Sequence, residues 1–272
     1  MTEPRPTERF PPPDFVGRVG FLAVFYSSCW LPFGRLCSDG SVKVSDLHIP
    51  QLSPGEARRL QGELASRVVE GPSLNLSGVR YIAGADVSTQ GDMGYATVVV
   101  LTFPDLSIVE VRGYEARLTF PYVPGLLAFR EIPSVVGALR EVEAEVDAVI
   151  FDAHGLAHPR GMGLASHLGL FLDVPSVGCA KSRLVGDHEE PGPDKGDTAD
   201  LVYRKKVVGK VVRTRSRVSP VYVSVGNRID LTSSVDLVLQ CCTRYRLPET
   251  TRQAHNSANR LRRGEDPGGL LA

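Results

Sequence analysis

Apolar and polar positions along this chain change period several times, and each change marks an element. Ser53-Pro54-Gly55-Glu56 reads as a capping box with proline in the first turn. Leu60, Leu64 and Val68 follow at helical spacing, which predicts a helix continuing through Val69. The period then shortens. Tyr81 to Val87, Tyr95 to Phe103 and Leu106 to Tyr114 read as three strands, with turn chemistry at Gly91 to Gly94 and at Pro104-Asp105. Strands joined by such tight loops predict an antiparallel meander.

From Leu126 the period lengthens again, predicting a helix to Leu139 that is interrupted at Pro133. Ala148-Val149-Ile150-Phe151 and Ser176 to Ala180 are short continuous apolar runs, as expected of strands covered on both faces. Leu164 to Leu172 reads as helix between them. Two or three shorter strands follow, Val221 to Val225 among them, and then a last long helix from Ser233 to about Tyr245. A meander followed by strands alternating with helices predicts an α/β fold with a mixed sheet and helices on its faces. Residues 49–252 are expected to form this domain, and the polar stretch 253–272 to be a flexible tail.

Residues 1–48 differ in character. Pro11, Pro12 and Pro13 precede an apolar patch, Val19 to Tyr26, that ends near Trp30-Leu31-Pro32. Glu3, Glu8 and Asp14 ahead of the patch, and a poor cleavage site, argue against a signal peptide. The segment reads as a disordered extension or an upstream stretch translated from a misassigned start.

Lys plus Arg number 31 and Asp plus Glu number 31, so bulk charge does not draw the chain to nucleic acid. A few local phosphate contacts suffice for a nuclease, however, and balance excludes nothing there. The cysteines, Cys29, Cys37, Cys179, Cys241 and Cys242, are odd in number and lack C-x-x-C spacing. They read as free thiols of a reducing cytoplasm rather than a disulfide framework. No apolar run approaches the ~20 residues of a membrane span, so no membrane association is expected.

Acids at strand ends carry the candidate chemistry. Asp86 interrupts an otherwise apolar strand, where a charge is costly unless it binds something. Asp152 ends the run Val149-Ile150-Phe151, and the crevice beyond strand carboxyl ends is the usual place for a site in α/β sheets. Glu131 lies on the intervening helix. Three converging oxygen donors suit a hard cation such as Mg2+. Asp152 opens a segment with His154, His158 and, further on, His167. Zinc-deaminase and H-E-x-x-H patterns are missing, which leaves phosphate contact, proton transfer or simple core packing for these histidines.

Lys181 follows a buried strand and reads either as a cation aimed into the crevice or as a surface lysine. Pro121-Tyr122-Val123-Pro124-Gly125 is a stiff loop, either a wedge into a base stack or a structural turn. Arg204, Lys205, Lys206, Lys210, Arg213, Arg215 and Arg217 concentrate positive charge, and the last three alternate as they would along one strand face.

In order, these blocks resemble the endonuclease V family over roughly residues 53–250. The resemblance rests on Gly84-Ala85-Asp86-Val87, Pro121 to Gly125 running on to Phe129-Arg130-Glu131, and Asp152 to Arg160. Ala165-Ser166-His167, Val174-Pro175 with Gly178 to Lys181, and Tyr245 to Arg252 complete it. It implies an RNase H-like fold with helices on both faces of the sheet and a monomeric, cytoplasmic DNA-repair enzyme. The implied reaction is cleavage of the second phosphodiester bond 3′ to deoxyinosine, leaving a 5′ phosphate. The implied cofactor is Mg2+, with Mn2+ as a substitute, held by Asp86, Glu131 and Asp152.

The same resemblance puts Lys181 and His158 at the scissile phosphate, His167 in the family's histidine position and Tyr122 in a strand-separating wedge. Gly125, Leu127 and Gly155 would read the flipped base through their backbones. Two positions depart from the family: Ala153 replaces a usual glycine, and Asn227 a usual histidine. Inosine in RNA as the substrate, and a catalytically silent nucleic-acid-binding homologue, are the alternative expectations.

Overall fold

The structure, a computed structural model, describes residues 43–45 and 52–268. Of the expected N-terminal extension only 43–45 are described, and they are tied down. Val44 forms an antiparallel bridge with Leu172, and the Ser45 N–H donates to the Phe171 carbonyl at 2.7 Å. The rest of that segment, with Cys29 and Cys37, lies outside the described residues. No helix among the described residues is long and apolar enough to cross a membrane.

Eight strands form one mixed sheet. In chain order they are β1 (Tyr81–Gln90), β2 (Met93–Thr102), β3 (Ile108–Arg117), β4 (Ala148–Phe151), β5 (Ser176–Ala180), β6 (Thr198–Tyr203), β7 (Lys206–Val212) and β8 (Val221–Asn227). Their spatial order is β3-β2-β1-β4-β5-β8-β7-β6. The first three pair antiparallel, β1-β4 and β4-β5 pair parallel, and β8 and β7 return antiparallel. This is the meander followed by parallel strands that the periodicity predicts, in the RNase H-like order.

Side chains alternate across the sheet. Ala83, Ala85, Val149 and Phe151 point to one face, under α2 (Leu127–Arg140) and α3 (Leu164–Gly169). Ile82, Ala148 and Ile150 point to the other, under α4 (Leu231–Cys241) and α5 (Glu249–Arg262). The first helix, α1 (Pro54–Ala65), carries the expected capping box and packs Ala57 against Phe120, Leu126 and Phe129 beside α2. It ends at Ala65 rather than Val69, whose N–H is instead taken by the Asn227 side chain.

Several expectations need correction. Helix α2 runs unbroken through Pro133, whose ring sits on the exposed side where it needs no packing partner. The fourth helix begins at Leu231 because the Asp230 carboxylate caps the Ser233 N–H at 2.6 Å. Arg213, Arg215 and Arg217 do not share a strand face: β7 ends at Val212, Arg213 is buried, and Arg217 sits in a turn at φ 62°. The three described cysteines are free and buried, as expected.

The largest correction is α5, which occupies much of the stretch expected to be a tail. Thr250, Ala254, Ser257 and Ala258 form a stripe of small buried residues along it, at the i, i+4, i+7, i+8 spacing of one helix face. Small residues let the helix lie close to the sheet. A Cβ on Gly84 of β1 would stand 2.4 Å from the Thr250 backbone, and the buried Thr97 hydroxyl donates to the Ala254 carbonyl at 2.7 Å. Glu249 in the first turn and Arg260 and Arg262 in the last complement the helix dipole.

Candidate active site

Strand register brings the two aspartates together. Ala85 of β1 pairs with Phe151 of β4, so the next residues, Asp86 and Asp152, lie side by side on parallel neighbours. The same alternation turns both toward the α5 face. Asp86 is 17% and Asp152 10% exposed, dry enough for their charges to be felt but open to a ligand. Glu131, one turn into α2, approaches from the other face.

Burial and neighbouring charge raise two of the three carboxyls, Glu131 and Asp86. Burial and the neighbouring Asp86 and Asp152 charges push the Glu131 carboxyl up to about 8, with Arg130 opposing. Burial also lifts Asp86 above the usual carboxylate range, with Asp152 adding to the shift while His255 and Lys181 oppose it. Three carboxyls gathered from two strands and a helix have the donor chemistry of a divalent-cation site. Asp86, Asp152 and Glu131 are the residues that could hold the ion. Among the described residues, no three His, Cys, Asp or Glu side chains already stand in a metal-holding arrangement. Two cationic or proton-bearing side chains occupy the aspartates instead: Lys181 pairs with Asp152, and His255 with Asp86.

His255 was missed in the sequence because it lies in the stretch read as tail. Close approach of α5 at Gly84 sets its position. Two residues along β1 from Gly84, and just over one helical turn along α5 from Thr250, the His255 Nδ1 meets Asp86 Oδ2 at 2.7 Å. Asn259 Nδ2 donates to His255 Nε2 at 3.1 Å, and the Ser88 hydroxyl donates to Asn259 Oδ1 at 2.9 Å. An acceptor role for Nε2 leaves the proton on Nδ1, aimed at Asp86. Arg252-x-x-His255 and Asn259 share one helix face, and that spacing is the signal that could have revealed them.

Beside the aspartates opens a cavity of about 470 Å³, lined by Tyr122, Gly125, Leu127, Asp152, Ala153 and Lys181 among others. Tyr122 is 71% exposed at its rim. The loop before it is fixed at one atom. Gly125 adopts φ +77°, and its carbonyl accepts from Gln61 Nε2 at 3.2 Å, His158 Nε2 at 3.1 Å and Arg160 Nη2 at 2.7 Å. Gln61 also receives Arg160 Nε on its oxygen at 2.5 Å and donates to the Met162 carbonyl at 2.7 Å. This clamp ties α1 to the loop, and no motif in the sequence marks Gln61 for it.

His158 therefore belongs to the loop clamp. Its Nε2 is committed to Gly125, its Nδ1 accepts from the Arg160 N–H at 3.2 Å, and burial holds it neutral, with its pKa lowered to about 4. The expected phosphate contact is not available in this arrangement. His167 is further away, 1% exposed between Phe129, whose ring it meets edge-on at 5.0 Å, and Phe171. It does not line the cavity, and burial lowers its pKa to about 4 as well. Gly155 is also off the cavity wall. Its N–H donates to the Ser224 hydroxyl at 2.9 Å, and a Cβ there would stand 2.0 Å from the Val225 carbonyl oxygen. His154 does line the cavity, donating from Nε2 to the Ser182 carbonyl at 2.9 Å.

The two departures separate cleanly. Ala153 stands in the cavity wall, where its methyl group narrows the space. Asn227 is buried away from the site, accepting from the Val69 N–H at 2.9 Å and donating to the Gly169 carbonyl at 2.8 Å. Its role is to join the chain after α1 to the end of α3.

An RNase H-like sheet with adjacent aspartates at its centre, a third acid on a covering helix and a lysine at the rim define a nuclease. The endonuclease V family description matches residues 62–256, and the chain belongs to that family. An endonuclease V from Gloeobacter violaceus is 48% identical over 226 residues, covering 81% of this chain and 91% of that protein. Among solved structures, the Streptomyces avermitilis endonuclease V superposes with a TM-score of 0.74 at 39% identity, covering 79% of this chain and 97% of that one. A Ciona intestinalis endonuclease V, solved in complex with a 24mer DNA containing an inosine followed by a ribo-adenosine, superposes at 0.68 with 27% identity, covering 77% and 97%.

Proposed function

We propose that the protein is a repair endonuclease that hydrolyses the second phosphodiester bond 3′ to deoxyinosine in DNA, leaving a 3′ hydroxyl and a 5′ phosphate. The observation that carries this reading is the register that sets Asp86 beside Asp152, which itself lines a cavity of about 470 Å³. Mg2+, with Mn2+ as a substitute, would be held by Asp86 and Asp152, with Glu131 direct or through water; it would supply an activated water and neutralise phosphate charge.

The chain's own groups do the rest. Lys181 presents its ammonium to the charge that develops on the phosphate. His255 donates its Nδ1 proton to Asp86 and so orients that carboxylate. Tyr122, exposed on a loop held between two prolines, fills the stack where the lesion leaves it. The cavity between Gly125, Leu127 and Ala153 takes the flipped hypoxanthine, and the clamp on Gly125 keeps that wall in place. His158 serves through this clamp.

A second reading, the same cleavage at inosine in RNA, is favoured by the ribo-adenosine beside inosine in the Ciona complex. One experiment separates them: a labelled duplex with one deoxyinosine, an undamaged control and the matching inosine RNA, each incubated with Mg2+. A single nick one nucleotide beyond the lesion in DNA supports the first reading. Cleavage confined to RNA supports the second. Binding without any cut, in Mg2+ or Mn2+, would leave a silent nucleic-acid binder.

A further inference from the structure

Lys181, Ser182 and Arg183 line two cavities at once. One is the base cavity described above; the other is an open groove of about 760 Å³ that begins at the same lysine. Arg183, Arg213, Arg217 and Arg246 wall this groove, against a single acid, Glu190.

The arginines are held in different ways. Arg213 is buried and rigid, paired with Glu190 at 2.6 Å and donating to the carbonyls of Gly192, Pro191 and Val218. Arg246 donates only to carbonyls, those of Lys181 at 2.6 Å and Pro220 at 2.8 Å, and its buried Nε has no partner. No carboxylate balances it among the described residues. Arg217 is exposed on a turn at φ 62°, its backbone N–H fixed to the Pro193 carbonyl at 2.8 Å, and its guanidinium makes no hydrogen bond or ion pair among the described residues. Arg183 pairs with the exposed Asp187 at 3.1 Å and donates to the Gly186 carbonyl at 2.9 Å. Four guanidiniums against one lining acid along an open groove suit a chain of phosphates, which each accept bonds but carry no sequence.

We propose that this groove takes the phosphate backbone of the substrate strand beyond the cut. The inference rests on the cleavage reading above. With the lesion base in the first cavity and the scissile phosphate at Asp86 and Asp152, Lys181 stands at the cut and the groove continues past it. On the proposed polarity it holds the 3′ portion, whose new end is the 5′ phosphate. The groove supplies affinity without base preference and is anchored by Arg183 and Arg217 at its open side.

The test uses the full chain with Mg2+ and deoxyinosine substrates of constant 5′ arm and increasing length beyond the cut. The readout is the ratio of kcat/KM on the longest to that on the shortest 3′ arm, compared among wild type, Arg217→Asn, Arg183→Gln and Arg217→Lys. Asn tolerates the left-handed turn, so a folding failure at Arg217 is not built into the variant. The ratio is expected to exceed one in wild type, to fall in Arg217→Asn and Arg183→Gln, and to recover in Arg217→Lys. Each lost phosphate contact should also flatten the slope of log affinity against log salt by about 1.

Lengthening the 5′ arm should affect all four proteins alike. A wild-type rate indifferent to the 3′ arm, or variants that lose the same factor on every length, would overturn the groove while leaving the cleavage reading intact. Absence of cleavage on any inosine substrate would overturn that reading instead. Fluorescence anisotropy on an undamaged labelled strand then decides the groove, and equal affinity of wild type and Arg217→Asn overturns it.

Discussion

His255 Nδ1 lies 2.7 Å from Asp86 Oδ2, joining the last helix to β1. The contact depends on Gly84, because any side chain there would hold the Thr250 backbone away. With Asn259 occupying Nε2, the imidazole is a fixed donor that orients the carboxylate. With Asp86 as the proposed metal ligand, replacing His255 by Ala should lower kcat/KM by roughly 10–100-fold, the usual effect of losing a partner of such a ligand. In His255→Asn, the amide nitrogen falls near the lost Nδ1, and part of the activity should return. An alanine variant that is folded and fully active would show that Asp86 needs no such partner.

Glu131 marks a conflict between stability and chemistry. Burial and the Asp86 and Asp152 charges raise its carboxyl to about 8, above its ordinary value of 4.5. A carboxyl raised on folding binds its proton more tightly in the native state. Its contribution to stability is therefore complete below about pH 4.5 and is lost as pH rises through about 8. In chelator at pH 8, Glu131→Gln should be more stable than wild type, by about 1–3 kcal/mol after allowing for partial solvent access. The same variant should cleave poorly with Mg2+. Thermal unfolding at pH 5 and pH 8 checks this, since the gain should shrink at the lower pH. A Gln variant less stable at pH 8 would mean the three acids do not repel one another as the geometry indicates.

Gln61 is argued from the three donors on the Gly125 carbonyl. Gln61→Ala removes one of them and takes away the acceptor of Arg160 Nε. With the loop freed to shift, kcat/KM on deoxyinosine DNA should fall on the order of ten- to hundredfold. The loss should appear mainly in KM if the base cavity is what loosens. Gln61→Glu keeps the acceptor for Arg160 but loses the donor to Gly125, so it should fall between the two. Unchanged kinetics in a folded alanine variant would remove Gln61 from the positioning apparatus.

Strands β4 and β5 were legible to the residue because a strand buried on both faces is written as an uninterrupted apolar run. Asp86, Asp152 and Lys181 were legible because polar residues stood where such runs ended or were broken, and Glu131 as an acid on the helix between those strands. Helix α5 was hidden for the opposite reason. Its buried stripe is Thr, Ala and Ser, chosen for closeness to the sheet, and such residues carry no hydropathic period. His255 was lost with it. Pro133 suggested an interruption that the helix avoids by turning the ring outward. His158 and His167 show a further limit, because a histidine beside an acidic motif looks the same whether it faces a phosphate, a carbonyl or two phenylalanines. Only the tertiary contacts distinguish them.

Those two histidines also set how the fold responds to acid. Burial lowers both to about 4, against about 6.5 when unfolded. The native state thus keeps them neutral while the unfolded chain takes up protons as pH falls below 6.5. Their contribution is fully present above about pH 6.5 and is lost as pH falls toward about 4. For shifts of this size, each histidine should cost up to about 2 kcal/mol between pH 7 and pH 5. The melting temperature should drop over that interval. His167→Phe, which retains an aromatic ring between Phe129 and Phe171, should have a visibly flatter pH profile than wild type, whereas His158→Ala should also loosen the Gly125 loop. Measuring the melting temperature across pH 4.5–7.5 for wild type and His167→Phe decides the matter. Parallel profiles for the two proteins would mean that His167 takes up its proton as readily in the core as in water.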